Sequence, residues 1–283
     1  MLSSNSLERY SIVCSKCSEL TTKLYSTSFT LGIKSLASEF HSPIYAIYGF
    51  VRFADEIVDT FDRQDKNELL AKFKDDTYRA IQNKISLNPI LHSFQRVVNE
   101  YHIEKELIET FLQSMEMDLS KKEYTQSSYE KYILGSAEVV GLMCLRVFCK
   151  GDKIQYEHLK LPAMRLGSAF QKINFLRDLK ADYIDLGRTY FPGLEMNEFN
   201  ENAKSAIEKD IEQDFRDGYT GIKSLPKGAR LGVYVAYVYY YALFKKIKKT
   251  SPQTVLKERI RIPNIYKYLL IVRSLFKHSF NLI

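Results

Sequence analysis

Apolar residues recur at three- and four-residue intervals along most of the chain, which is the spacing of one helical face; no run of alternating strands interrupts it. This periodicity predicts helices over about 7–25, 66–84, 104–120, 128–149, 162–185, 199–218, 226–248 and 264–278. Ser42-Pro43 and Asn88-Pro89 mark two more helix starts, each a capping side chain followed by a proline suited to the first helical position. The first of these helices runs to about Phe61. A Ser/Thr-rich stretch, Tyr25-Ser26-Thr27-Ser28-Phe29-Thr30, follows the first helix. Only 12 Gly and 7 Pro occur in 283 residues, which suits long helices better than many turns. With no linker, solenoid repeat, Gly-x-Gly-x-x-Gly or P-loop in view, the expectation is one all-α domain over residues 1–283.

Charge changes this picture only toward the end of the chain. The net charge is +7, yet Gly221–Ile283 holds 13 Lys and Arg against one acid, Glu258, so that segment alone carries +12. Such a segment invites an anionic partner: a phosphorylated ligand, a membrane surface or nucleic acid. Nucleic acid is not expected, because no recognition motif is present and aromatic residues do not interleave with the Lys245–Lys249 cluster. That cluster also suits a solvated helix end. Cys14-x-x-Cys17 has half the spacing of a zinc site, but Cys144 and Cys149 lie on an apolar stretch, so reduced buried thiols are the expected state. The N-terminus shows no apolar signal region. The uncharged run Leu231–Phe244 is 14 residues long, short of the roughly 20 that span a bilayer. It reads as core. A cytoplasmic protein with at most peripheral contact at the inner face of a membrane is expected.

The segment 44–59 is the most informative. At 100° per residue Tyr48, Arg52, Asp55 and Asp59 fall within about 60° of one another on an otherwise apolar helix. A second stripe, Gln171, Asn174, Asp178 and Asp182, shares a face of the helix at 169–182. A lone Asp-x-x-x-Asp carries little meaning and usually sits in solvent; two of them on greasy helices, each with aligned polar partners, suggest an internal site. Hard carboxylate oxygens converging from two helices suit Mg²⁺ bridged to a diphosphate. Arg52 and Arg177 stand beside the pairs, where they either grip phosphate oxygens or form salt bridges with the neighbouring Asp.

At this point the chain resembles the phytoene/squalene synthase family of head-to-head prenyl transferases. Four blocks carry the likeness: Tyr25-Ser-Thr-Ser-Phe29; Ala46-Ile-Tyr48-x-x-x-Arg52-x-x-Asp55-Glu-Ile-Val-Asp59; Tyr132-x-x-Gly135-x-Ala137-x-x-Val-Gly141; and Gln171-x-x-Asn174-x-x-Arg177-Asp178-x-x-x-Asp182 with Gly187-Arg188-x-Tyr190-Phe191-Pro192. Asp55-Glu-Ile-Val-Asp59 is more like phytoene synthases than squalene synthases. Ala181, after Lys180, departs from a family pattern that often has an acid there. Leu256-x-Glu-Arg259-Ile-Arg261 is similar to a late basic element of the family.

The resemblance implies an isoprenoid-synthase-type helical bundle around a central cavity. It implies condensation of two geranylgeranyl diphosphates to phytoene through a cyclopropyl diphosphate, with Mg²⁺ or Mn²⁺ and no nicotinamide cofactor. Tyr48, Arg52, Asp55, Asp59, Asp178 and Asp182 would be catalytic. The carboxylates among them, with Asn174, would hold the metal. Ser26, Ser28, Tyr132, Gly135, Gln171, Asn174, Arg177, Arg188 and Tyr190 would bind substrate. Bland readings remain beside these: Ser26 and Ser28 as helix caps, Tyr132, Gly135 and Ala137 as a close helix contact. A farnesyl-specific squalene or dehydrosqualene synthase is the main rival, and a non-catalytic assembly or membrane-binding module of the same fold is a further one. Oligomeric state is left open.

Overall fold

The computed structural model describes residues 2–61, 65–120, 123–185, 189–194 and 199–280, with the side chains of 2–5 and 181–185 outside that description. The predicted helices form. In chain order they are α1 (Leu2–Tyr25), α2 (Thr27–Lys34), α3 (Ser38–Asp59), α4 (Lys66–Asn83), α5 (Pro89–Tyr101), α6 (Lys105–Ser120), α7 (Gln126–Ile133), α8 (Val139–Cys149), α9 (Lys153–Asp185), α10 (Glu201–Ser224), α11 (Lys227–Lys248), α12 (Pro252–Lys257) and α13 (Asn264–Ser279). A widened π-helical turn, Leu134–Glu138, joins α7 to α8. Among the described residues the sole β feature is an isolated bridge between Glu123 and Thr189.

Local signals set some ends and tertiary contacts override others. Asn88 caps α5 as expected, its side chain accepting from Ile90 N and Leu91 N, with Pro89 at the first position. Ser26 caps α2, a helix that the Ser/Thr-rich stretch had hidden. Ser42 does not cap α3. That helix starts at Ser38, and the Ser42 hydroxyl instead lies 2.7 Å from Ser15 Oγ on α1. Likewise α9 starts nine residues before Pro162, where Asp152 accepts from Gln155 N. Pro162 sits inside the helix, which forfeits a backbone bond. The neighbouring α10 accommodates it with Gly221, where an added Cβ would lie 2.4 Å from the proline ring.

Two apolar assemblies form the body. One joins α3, α4, α5, α6 and α8, with Phe50 stacked on Phe94 at 3.9 Å and tilted against Phe111. The other joins α7, α9, α10, α11 and α12 around Phe175, Phe215 and Phe244. The span Gln126–Cys149 is long and apolar enough to cross a bilayer, but just over half of it is buried inside the protein, against α6 and α9. Buried charge fastens α9 to α10. Lys172 Nζ lies 2.7 Å from Asp214 and 2.5 Å from Asp210, and Ser168 donates to Asp214.

Candidate active site

Between the two assemblies lies a cavity of about 520 Å³. Both helices that run along it change character in the same direction. On α3 the lining passes from Ile44 and Ile47 to Tyr48, Arg52 and Asp55; on α9 it passes from Leu159 and Leu166 through Phe170 to Asn174 and Arg177. The C-terminal ends of α3 and α9 thus make a polar mouth, and their earlier turns make an apolar barrel. Gly32 on α2 and Gly232 on α11 also line it; an added Cβ on Gly232 would lie 2.7 Å from the Gly32 carbonyl oxygen, so these two helices close the wall backbone to backbone.

At the α3 side of the mouth, Arg52 Nη2 pairs with Glu56 and Nη1 lies 3.7 Å from Asp55. Its guanidinium stands 4.3 Å over the Tyr25 ring. Its buried Nε–H finds no protein acceptor among the described residues. Burial pushes the Asp55 carboxyl up to about 7; Arg52 opposes that shift, while Asp59, Asp118 and Glu56 add like charge. Burial likewise pushes the Tyr48 phenol up to about 12, against the pull of Arg52.

On the α9 side, arginines take the carboxylate. Arg177 Nη2 lies 2.5 Å from Asp178, and Arg259, from the segment after α12, places Nε 2.7 Å from the same group. Burial works against the Arg177 charge, but Asp178 outweighs it and the guanidinium stays firmly protonated. A polar ladder continues inward: Gln171 Nε2 donates to Ser136 Oγ at 3.3 Å, Asn174 donates to Gln171, and the Tyr240 hydroxyl donates to Asn174 Oδ1 at 3.4 Å. Aromatic rings flank the ladder, with Tyr240 stacked 4.1 Å from Phe170 and Phe29 at 5.5 Å from Tyr48.

A second layer supports the mouth. Asp118 on α6 accepts from Tyr132 at 2.6 Å, Tyr124 at 3.1 Å and Tyr190 at 3.3 Å. Tyr132 lines the cavity just before the π turn, which also presents Ser136 and Ala137. Widened turns of this kind recur at functional sites. Burial, followed by the Asp118 charge, raises the Tyr132 phenol well above its ordinary value. Asp118→Asn turns an acceptor into a partial donor facing three hydroxyls. It is expected to lower the unfolding free energy by about 2 kcal/mol, read as a shifted urea midpoint at unchanged slope.

Of the residues singled out in the sequence, Ser26, Tyr48, Arg52, Asp55, Tyr132, Gln171, Asn174 and Arg177 line one cavity. Asp59 follows Asp55 by one turn, and Asp178 sits behind Arg177 and Arg259. Ser28, Gly135 and Tyr190 lie outside the lining. Gly135 packs closely on α6, where an added Cβ would lie 2.6 Å from the Thr110 carbonyl oxygen. The Asp182 side chain and Arg188 lie outside the described residues. Among the described residues no group of three or more Asp, Glu, His or Cys stands poised for a metal, and the Asp182 side chain of the expected convergence lies outside them. Leu231–Phe244, read as core, also contributes Gly232, Val233, Ala236 and Tyr240 to the wall. Phe29, Asp118, Tyr240 and Arg259 had not been singled out as site residues. A lone Asp three residues after Met115 on the apolar face of α6 was a signal that could have exposed Asp118.

Residues 22–266 match the family model described as squalene/phytoene synthase. The chain belongs to that family. Among members of the squalene/phytoene synthase family, it is 28% identical over 195 residues to the 4,4'-diapophytoene synthase of Staphylococcus haemolyticus; the match covers 66% of this chain and 65% of that protein's length. It is 26% identical over 253 residues to the phytoene synthase of Rhodobacter capsulatus, covering 83% of this chain and 73% of the relative. In three dimensions it is similar to a dehydrosqualene synthase solved with a ligand, at TM-score 0.82 and 21% identity, over 96% of this chain and 98% of the other. These likenesses agree with the all-helical architecture around a central cavity.

Proposed function

We propose that the protein joins two prenyl diphosphates head to head without reduction, and that geranylgeranyl diphosphate is the substrate and phytoene the product. The observation that carries this reading is the polarity of one continuous cavity. A long apolar barrel ends in a mouth holding Arg52, Arg177 and Arg259 among carboxylates, and the buried Arg52 Nε–H lacks a protein acceptor among the described residues. An amphiphile with an anionic head and a hydrocarbon tail fits that arrangement. Support for the longer substrate comes from the Asp55-Glu-Ile-Val-Asp59 motif and from the long match to a phytoene synthase. A farnesyl-specific reading has its own support in the match to a diapophytoene synthase.

The donor set also suits a divalent cation. Burial raises the Asp55 carboxyl to about 7 against the pull of Arg52, and Asp59, Asp118 and Glu56 add negative charge around it that a cation would offset. Asp55 and Asp59 from α3, with Asn174, Asp178 and Asp182 from α9, would hold Mg²⁺, which supplies charge neutralisation for a departing diphosphate. Arg52, Arg177 and Arg259 exchange their carboxylate partners for phosphate oxygens, and so orient the leaving group. Phe29, Tyr48, Phe170 and Tyr240 line the cavity beside the mouth, where aromatic rings would stabilise an allylic cation and exclude water. Tyr132, whose hydroxyl donates to Asp118 Oδ2, lines the same cavity. In total two diphosphates and two protons leave, and one hydrocarbon remains.

The test is product mass with each substrate. Geranylgeranyl diphosphate should yield phytoene, and NADPH should change neither rate nor mass. Turnover confined to farnesyl diphosphate moves the assignment to the shorter substrate. A product reduced only in the presence of NADPH contradicts the non-reductive reading.

A further inference from the structure

The last helix is turned inside out. At 100° per residue Ile265, Tyr268, Leu269, Val272, Phe276 and Phe280 fall within about 120° of one another. That apolar stripe faces solvent: Ile265 is 78% exposed, Val272 64% and Phe276 62%. The side of α13 turned to the protein is the more polar one. Ser274 is buried there beside Leu270, Lys267 donates to Thr27 Oγ1 at 3.2 Å, and Lys277 donates to the Tyr234 hydroxyl at 3.4 Å. A helix that turns half-buried lysines to the protein and shows isoleucine, leucine and phenylalanine to solvent is built for a surface other than water.

What covers it is indicated by charge. Beside the stripe, α13 and α11 enclose a groove of about 720 Å³. Its rim carries Lys245, Lys246, Lys249, Arg273 and Lys277, and its floor is tyrosine, with Tyr234, Tyr237 and Tyr241 in successive stacked contacts. The sequence from Arg259 to Phe280 holds no acid, and the segment from Gly221 onward carries +12. Two copies meeting through α13 would bring these like charges together. An acidic bilayer offers what the face lacks: hydrocarbon for the stripe, phosphates for the cations and a headgroup layer suited to tyrosine.

We propose that α13 and the basic tyrosine groove beside it form an interfacial docking site that seats the protein on a membrane containing acidic phospholipid. Lys267 and Thr27 tie this helix to the start of α2, one residue from Ser26 at the cavity mouth, so docking holds the mouth near the headgroup layer. The docking chemistry stands independently of the reaction proposed above and is read without turnover.

The experiment is flotation of the full chain with vesicles of phosphatidylcholine alone, or with roughly one-third phosphatidylglycerol. Strong binding is expected only to the acidic vesicles, weakened by high salt. The double variant Val272→Ser/Phe276→Ser, exposed at both positions, should keep its helix content by circular dichroism and its gel-filtration volume, and should lose at least about tenfold in bound fraction. Arg273→Gln/Lys249→Gln should weaken acidic-vesicle binding alone. Equal flotation of parent and Val272→Ser/Phe276→Ser, or no flotation of the parent with acidic vesicles, overturns the proposal. Inorganic phosphate at equal charge competing as well as vesicles would assign the groove to a soluble anion. A parent dimer that the double variant converts to monomer would assign the stripe to a second copy.

Discussion

Asp55→Asn is expected to reduce turnover by roughly 10³-fold at saturating Mg²⁺, the scale on which removing one group that stabilises departing charge acts. The same change should not harm the fold. Burial and neighbouring carboxylates raise the Asp55 carboxyl to about 7, so the folded protein holds that proton more tightly than the unfolded chain does. Its effect on stability therefore runs opposite to that of an ordinary ion-paired aspartate. The penalty is present above pH ~7, shrinks as pH falls through 7, and is gone below the unfolded value near 4. Without metal, Asp55→Asn should melt at or above the parent temperature at pH 8, with the difference narrowing by pH 5. Divalent-cation binding by the parent should tighten as pH rises through 7, because the cation takes the ionised form. Near-parental turnover of Asp55→Asn would remove this residue from the metal-diphosphate site.

Arg52→Lys should lower kcat/KM by about 100-fold, or ~2.7 kcal/mol, with most of the loss in KM. Lysine keeps the charge but not the planar fork, and it has no counterpart of the Nε–H that lacks an acceptor. The Glu56 pair can be remade by an ammonium, so thermal stability should change little. Steady-state kinetics alongside thermal melts separate the two roles. Parental kinetics with a lowered melting temperature would make Arg52 a structural ion-pair residue.

The helical fold was legible because long amphipathic periods leave little else for the chain to form. The misplaced starts have a common cause. Pro43 and Pro162 read locally as first-turn residues, but α1 supplies Ser15 as a partner for Ser42, and Gly221 leaves room for the Pro162 ring. Neither partner is near in sequence. Within the site, the stripes on α3 and α9 were legible as polar residues on apolar helices. Asp118, Tyr240 and Arg259 reach the mouth from α6, α11 and the segment after α12, and only tertiary packing puts them there. Charge spacing along α9 says nothing of Arg259, which arrives from 81 residues away to hold Asp178.

Diphosphate release and hydrocarbon yield, measured together, test the central claim most directly. The purified protein is incubated with Mg²⁺ and geranylgeranyl or farnesyl diphosphate, without nicotinamide, and both products are quantified. The expected result is two diphosphates released for each hydrocarbon of doubled carbon number, with release abolished by chelation. Diphosphate released with only the monomeric alcohol, or no release from either substrate while Mg²⁺ is present, would contradict head-to-head joining in this cavity.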